Sequence, residues 1–312
     1  MQGEQKKKSK NIIIRAAAAV VLILLLGAGA YMIHGRLAPR GCRDYSIRKE
    51  QYFVEYSEQY DYWDVITVEY PVLSGVPEEQ AAALNQVFYD MAMDRVNYWH
   101  LFPDDEVKEL QEEYHIYSSD VRCDVPFHSQ YLVSMIFSET YAPISPVYYV
   151  HMTRRSVNVN LMTGEVYELS DILQINDDFM GLWCERASVD YGDVILNDED
   201  TRETFRQWFL GLDEELKDYY FFRPFFCMTE EGDFVVGISV DPNVRTVVNH
   251  MAMDTSFAVR LTEQELAPYR TGSEFWKWYE KSQTTGEVIP CEDLQENLWL
   301  GEGSSVWDYL GR

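Results

Sequence analysis

Basic residues are scarce in this chain beyond its first fifty positions. Residues 1–50 hold ten Lys/Arg and three Asp/Glu, which leaves 16 and 49 for residues 51–312, a net charge of −33. A body that acidic has no electrostatic footprint for nucleic acid or for anionic headgroups. It would draw basic proteins or divalent cations, although charge of this kind also simply keeps a domain soluble. Histidine is scarce too: there are six, none in an i, i+4 pair, so the His-Glu-x-x-His helix of zinc proteases is excluded. The five cysteines, Cys42, Cys123, Cys184, Cys227 and Cys291, contain no Cys-x-x-Cys pair. Neither a zinc site nor a thioredoxin-like centre is supported. Their wide spacing and odd number give no disulfide framework; one or two disulfides are compatible with it, and buried free thiols are the stronger expectation.

The motifs of catalysis are missing as well. There is no Gly-x-Ser-x-Gly, no phosphate-binding glycine loop and no strict calcium loop. Asn197-Asp198-Glu199-Asp200 is better explained as a helix start than as a calcium ligand set. A carboxylate pair for glycoside hydrolysis cannot be picked out of so many acids. No catalytic residue, metal ligand or cofactor is therefore assigned, and the chain is expected not to be an enzyme. The alternatives are a cell-envelope enzyme acting on peptidoglycan through unidentified carboxylates, or a structural envelope protein.

What the sequence does have is a marked N-terminus. Lys6, Lys7, Lys8 and Lys10 precede Ile12-Ile13-Ile14 and Arg15, and an unbroken apolar run of 18 residues follows from Ala16 to Ile33. At about 1.5 Å per residue that run spans roughly 27 Å, close to the hydrocarbon core of a bilayer. Residues 1–10 are expected to be a cytoplasmic stub, too short for an effector domain, and 11–33 a transmembrane signal anchor with the lysines inside. The remainder would lie outside the cell membrane. Cleavage near Ala30, at Ala28-Gly29-Ala30, would instead secrete the chain; the apolar Tyr31-Met32-Ile33 beyond it favours the anchor.

Beyond a linker at 34–49, the chain is 46% hydrophobic and 14% aromatic, enough to bury a core. Period-two patterns predict strands at Tyr52–Tyr60, Val65–Tyr70, 113–124, 129–140 and 147–161, the last ending in the turn Met162-Thr163-Gly164-Glu165. Helical spacing of Leu84, Val87, Phe88, Met91 and Tyr98 predicts a helix from Pro77 to about Trp99. Further helices are expected at 176–190 and at 200–217, the latter with a capping box at Asp200-Thr201-Arg202-Glu203. A hairpin is expected around Glu230-Glu231-Gly232-Asp233, then a strand at Phe257–Leu261. The clustering of elements points to an α+β fold, a largely antiparallel sheet packed by helices. It divides into a first subdomain, 50–143, a second, 144–270, and an acidic extension, 271–312. That extension holds four of the eight tryptophans, lacks sustained periodicity and is expected to pack back as irregular structure.

Two patterns carry a family resemblance. One is Ile66-Thr67-Val68-Glu69-Tyr70-Pro71-Val72-Leu73-Ser74-Gly75, followed by a helix with Leu84-Asn85. The other is Val157 through Glu165 with Leu169-x-Asp171-Ile172-Leu173, then Phe225 to Val240 and Leu261 to Leu266. In this order, over about 50–270, they resemble the RsiV-like extracytoplasmic domains of lysozyme-responsive anti-sigma factors. They are similar also to the non-catalytic N-terminal part of PdaC-type peptidoglycan deacetylases. The resemblance implies a paired extracytoplasmic domain that binds or senses, with a basic, lysozyme-like protein as partner. It is expected here without a sigma-binding segment or a deacetylase domain, and Pro146 to His151 replaces the Gly-Ala-His signature of that family. The motif residues Tyr70, Pro71, Asn85, Thr163, Gly164, Leu169 and Asp171 read as structural. Tyr70-Pro71 would end a strand, Gly164 would supply a positive φ, and Asp171 would cap the helix after it.

Overall fold

A computed structural model of the chain describes residues 41–42, 44–56, 64–114, 116–143, 151–192, 198–216, 220–242, 253–254 and 256–284. The expected stub, anchor and cleavage site lie outside them. Among the described residues no helix is long and apolar enough to cross a membrane.

The fold is α+β. Strands β1 (Ser46–Tyr56), β2 (Asp64–Ser74), β3 (Ile116–His128), β4 (Leu132–Pro143), β5 (His151–Asn160) and β6 (Val166–Tyr167) lie side by side in chain order, and β9 (Met253–Asp254) adds to β5. Pairing is antiparallel except for β2 with β3 and β5 with β9. The position 143/144, drawn as a subdomain boundary, falls between β4 and β5, which pair from Leu132↔Asn160 to Tyr141↔His151. Strands β7 (Tyr220–Met228), β8 (Asp233–Pro242) and β10 (Ser256–Thr262) form a second antiparallel sheet, ordered β10-β8-β7.

Helix α1 (Glu78–Val96) covers one face of the large sheet and passes into a π-helical turn, Asn97–Leu101. Leu84, Phe88, Ala92, Met93 and Val96 meet Val68, Met135, Phe137, Val157 and Val159 in one apolar cluster. Even-numbered residues of β4 and β5 point the other way, toward the small sheet. There an apolar cluster of Ile136 with Phe225, Cys227, Val235 and Ala258 is flanked by polar contacts: Ser134 Oγ accepts from Met228 N at 3.1 Å, and Asn158 Nδ2 donates to Phe226 O at 2.9 Å. Ser239 Oγ both accepts from Arg154 N and donates to Arg154 O, each at 2.8 Å. Helices α4 (Asp177–Tyr191), α5 (Glu199–Leu210) and α7 (Glu274–Thr284) close a second, aromatic-rich cluster on the small sheet.

Several expectations are corrected. β1 begins at Ser46, inside the stretch read as linker, because Ile47 is fully buried. β2 runs through Tyr70-Pro71 to Ser74 rather than ending there. The β3 ladder stops at Val68↔Val121, so past that point β2 has an open edge where proline's missing N–H costs no ladder bond. Residues 105–114 form helix α2 (Asp105–Tyr114), begun by Asp104 Oδ1 accepting from Val107 N, where a strand was expected from 113. Helix α5 is capped by Asp198, not by a box at Asp200. Asp171 does not cap the next helix: it lies within α3 (Leu169–Ile172), its Oδ2 accepting from Glu168 N, and Asn176 caps α4. Residues 274–284 are helical, with Phe275, Trp276, Trp278 and Tyr279 buried in the core. Helix α6 (Glu263–Leu266) starts with a full capping box from Thr262 and Glu265.

Candidate functional site

The sequence motifs take structural places. Asn85 on α1 clamps β2 with both ends of its amide: Oδ1 accepts from Leu73 N at 2.7 Å and Nδ2 donates to Leu73 O at 2.9 Å. Tyr70 OH donates to Glu50 Oε2 on β1, and its ring meets Tyr89 edge to face. Gly164 turns the chain at φ 75°, its N–H donating to Asn160 O, while Thr163 Oγ1 accepts from Glu165 N. Four cysteines, Cys42, Cys123, Cys184 and Cys227, are free thiols, and the last three are fully buried. Cys291 lies outside the described residues.

The chemistry is concentrated elsewhere, in a charge cluster at the C-terminal end of α1. Arg155 on β5 donates through Nη2 to Glu139 Oε2 at 2.8 Å and through Nη1 to Asp94 Oδ2 at 3.1 Å. Arg223 Nη1 on β7 lies 2.9 Å from the same Asp94 oxygen as an ion pair, and Arg95 Nε donates to it at 3.3 Å. Arg223 Nε is 3.0 Å from Asp241 Oδ2, an ion pair too bent to be a hydrogen bond. The Arg95 guanidinium lies 4.6 Å from the Tyr98 ring centroid and 5.0 Å from that of Phe221. One aspartate oxygen thus serves three guanidiniums.

The electrostatics follow from that crowding. Burial raises the Asp94 carboxyl, but Arg223, Arg95 and Arg155 outweigh it and hold it below its ordinary value. Burial pushes Glu139 up to about 7 despite Arg155. The Arg223 guanidinium is driven down, by burial first and then by Arg95 and Arg155, against the pull of Asp241 and Asp94. Six buried polar atoms of the cluster have no hydrogen-bond partner among the described residues: Arg95 Nη1, Glu139 Oε1, Arg155 Nε, Arg223 Nε, and both Oδ1 and Oδ2 of Asp241.

Above the cluster is a half-open cleft of about 450 Å³. Arg155, Ser156 and Arg223 form its polar end; Tyr167, Ile175, Phe209 and Phe222 are among its apolar walls. Of the sequence motif residues only Leu169 lines it. The signal that could have found the cluster is strand parity. Arg155 shares its side of β5 with the buried Val157 and Val159, and Glu139 shares its side of β4 with Val133, Met135 and Phe137. A charge at an inward position of an apolar strand is the informative exception.

No family model matches the chain, and no curated protein matches it. Its structural neighbours are proteins of the DUF3298 family. It is similar to a member of that family from Bacteroides fragilis, at 9% identity and a TM-score of 0.47, over 78% of this chain and 100% of that one. It is similar also to a DUF3298 family protein from Pseudomonas aeruginosa, at 12% identity and a TM-score of 0.40, over 72% of this chain and 95% of that one.

Proposed function

We propose that this chain is a membrane-anchored extracytoplasmic domain that binds or senses, as its RsiV-like motifs suggest, and that its partner is a basic, lysozyme-like protein. The lysine-flanked apolar run supplies the anchor, with the N-terminus inside. The observation that carries the binding reading is the acidic face of two adjacent helices. Asp177, Asp178, Glu185 and Asp190 on α4 and Glu199, Asp200 and Glu203 on α5 are all exposed. The basic residues on those helices are three arginines, of which Arg206 is paired with Asp177 and Glu203 and Arg186 with Glu265. Such a surface raises the association rate of a cationic partner and makes it salt-dependent. Calorimetry of the full chain in neutral-lipid nanodiscs against hen lysozyme tests this. Saturable binding that weakens from 20 to 300 mM salt is expected; no heat at 20 mM salt refutes the lysozyme reading.

A further inference from the structure

The acidic surface leaves the cleft over Arg155 and Arg223 unexplained, and the cleft has the chemistry of a binding site in its own right. Two arginines, Arg155 and Arg223, meet at one end of its lining, with Glu168 elsewhere on it, in a chain that is otherwise strongly anionic. Arg155 is 3% exposed, yet its Nε has no hydrogen-bond partner. Arg223 is held by Asp94 and Asp241 through Nη1 and Nε, which leaves Nη2 with no hydrogen-bond partner among the described residues. Its side chain is 26% exposed, so that nitrogen belongs to the open side of the cluster. Of the nearby carboxylates, Asp94 is shared among three arginines, Glu139 is held by Arg155 and Asp241 pairs with Arg223 Nε, while Glu168 is the one acid on the cleft lining. An arriving anion would therefore find one donor that no side chain has claimed, Arg223 Nη2, with the buried Arg155 charge behind it, in a site where desolvated charge-assisted hydrogen bonds are strong. Away from that end the walls are aromatic and aliphatic, and Trp208 stacks on Phe222 behind the wall at 5.6 Å between ring centroids. The size, about 450 Å³, is that of a small-ligand pocket.

We infer that this cleft binds a small amphipathic organic anion, its carboxylate or phosphate-ester head on Arg223 above Arg155 and its apolar body along Ile175, Phe209 and Phe222. The cleft shares α5 with the acidic face through Phe209 and Leu210, but none of the exposed acids of α4 and α5 lines it, so either can fail without the other.

Octanoate, octyl phosphate and octanol test it, titrated by calorimetry into the full chain in neutral-lipid nanodiscs, with empty nanodiscs subtracted. One-to-one binding of octanoate or octyl phosphate is expected, at least tenfold tighter than octanol; the tighter head tells a free carboxylate from a phosphorylated lipid. Arg223→Gln is expected to weaken the anion at least tenfold, and Arg223→Lys to keep part of the affinity. Ile175→Trp fills the cleft without touching the charge cluster and is expected to abolish binding. Equal binding of octanol and both anions overturns the inference on the unaltered chain alone, as does no binding of either anion. Unchanged anion binding by folded Arg223→Gln overturns it too.

Discussion

Arg155 Nη2 donates to Glu139 Oε2 at 2.8 Å, and the two side chains, 2% and 0% exposed, lie between α1 and the large sheet, with Arg155 at the base of the cleft. A buried pair of this kind adds little net stability, but breaking it leaves one charge stranded. At pH 8, where Glu139 is ionised, Arg155→Ala is expected to destabilise the folded unit by about 3–5 kcal/mol. Removing the carboxylate as well, in Arg155→Ala with Glu139→Gln, is expected to recover part of that loss. Urea denaturation checks both; a loss below about 1 kcal/mol for Arg155→Ala, within the range of exposed pairs, contradicts the reading of the pair as desolvated.

Glu139 also sets a pH dependence. Its carboxyl titrates at about 7 in the fold against an ordinary value of 4.5, raised by burial and by Asp241 and Asp94, and opposed by Arg155 and Arg95. Between those values the folded chain keeps a proton that the unfolded chain has lost. The stabilising preference is complete below pH 4.5 and fades as pH rises through 7, about 3 kcal/mol in all. Glu139→Gln keeps the neutral shape, so its melting temperature relative to the unaltered chain is expected to rise from pH 5 to pH 8. A constant or falling difference contradicts the assignment.

His128 works in the opposite direction. Burial lowers its imidazole to about 4 from an ordinary 6.5, and Tyr45 OH lies 3.4 Å from its Nδ1. A base with a lowered value contributes stability above pH 6.5 that is lost as pH falls toward 4. His128→Gln is expected to flatten this acid limb when melting temperatures are compared at pH 7 and pH 4.5. An equally steep limb in the variant counts against it.

Gly237 on β8 is a packing constraint. A Cβ there would come within 2.5 Å of Phe225 Cζ and of Phe257 O, and 2.7 Å of Ala258 Cβ. Gly237→Ala is expected to cost about 1–3 kcal/mol through overpacking, read as a lower denaturation midpoint. A neutral result would mean that β7 and β10 yield easily.

Much of the fold could be read from sequence because its signals are local. The turn at Gly164, the hairpin at Glu230–Asp233 and the apolar stripe of α1 each depend on residues close together in the chain. Helix α2 was missed although Asp104, the acidic first turn and the helical spacing of Val107, Leu110 and Tyr114 were visible, because three apolar residues in ten make only a narrow stripe among the acids. Helix α7 was missed for another reason. Phe275, Trp276, Tyr279 and Ser282 do fall at helical spacing, but a serine ends the stripe, where it bonds to Ser129 Oγ, 153 residues away. The cleft and its charge cluster were legible only at Glu139 and Arg155, through strand parity. Asp94, Glu139, Arg155, Arg223 and Asp241 come from five separate elements, and only the packing of α1 and the two sheets brings them together.

Hydrogen–deuterium exchange of the full chain in nanodiscs, with and without hen lysozyme at 20 mM salt, tests the binding account most directly. The account predicts slower exchange concentrated in 177–191 and 199–210, the acidic face of α4 and α5, and lost at 300 mM salt. Binding that protects other segments and leaves these helices unchanged would contradict it, and so would no protection anywhere.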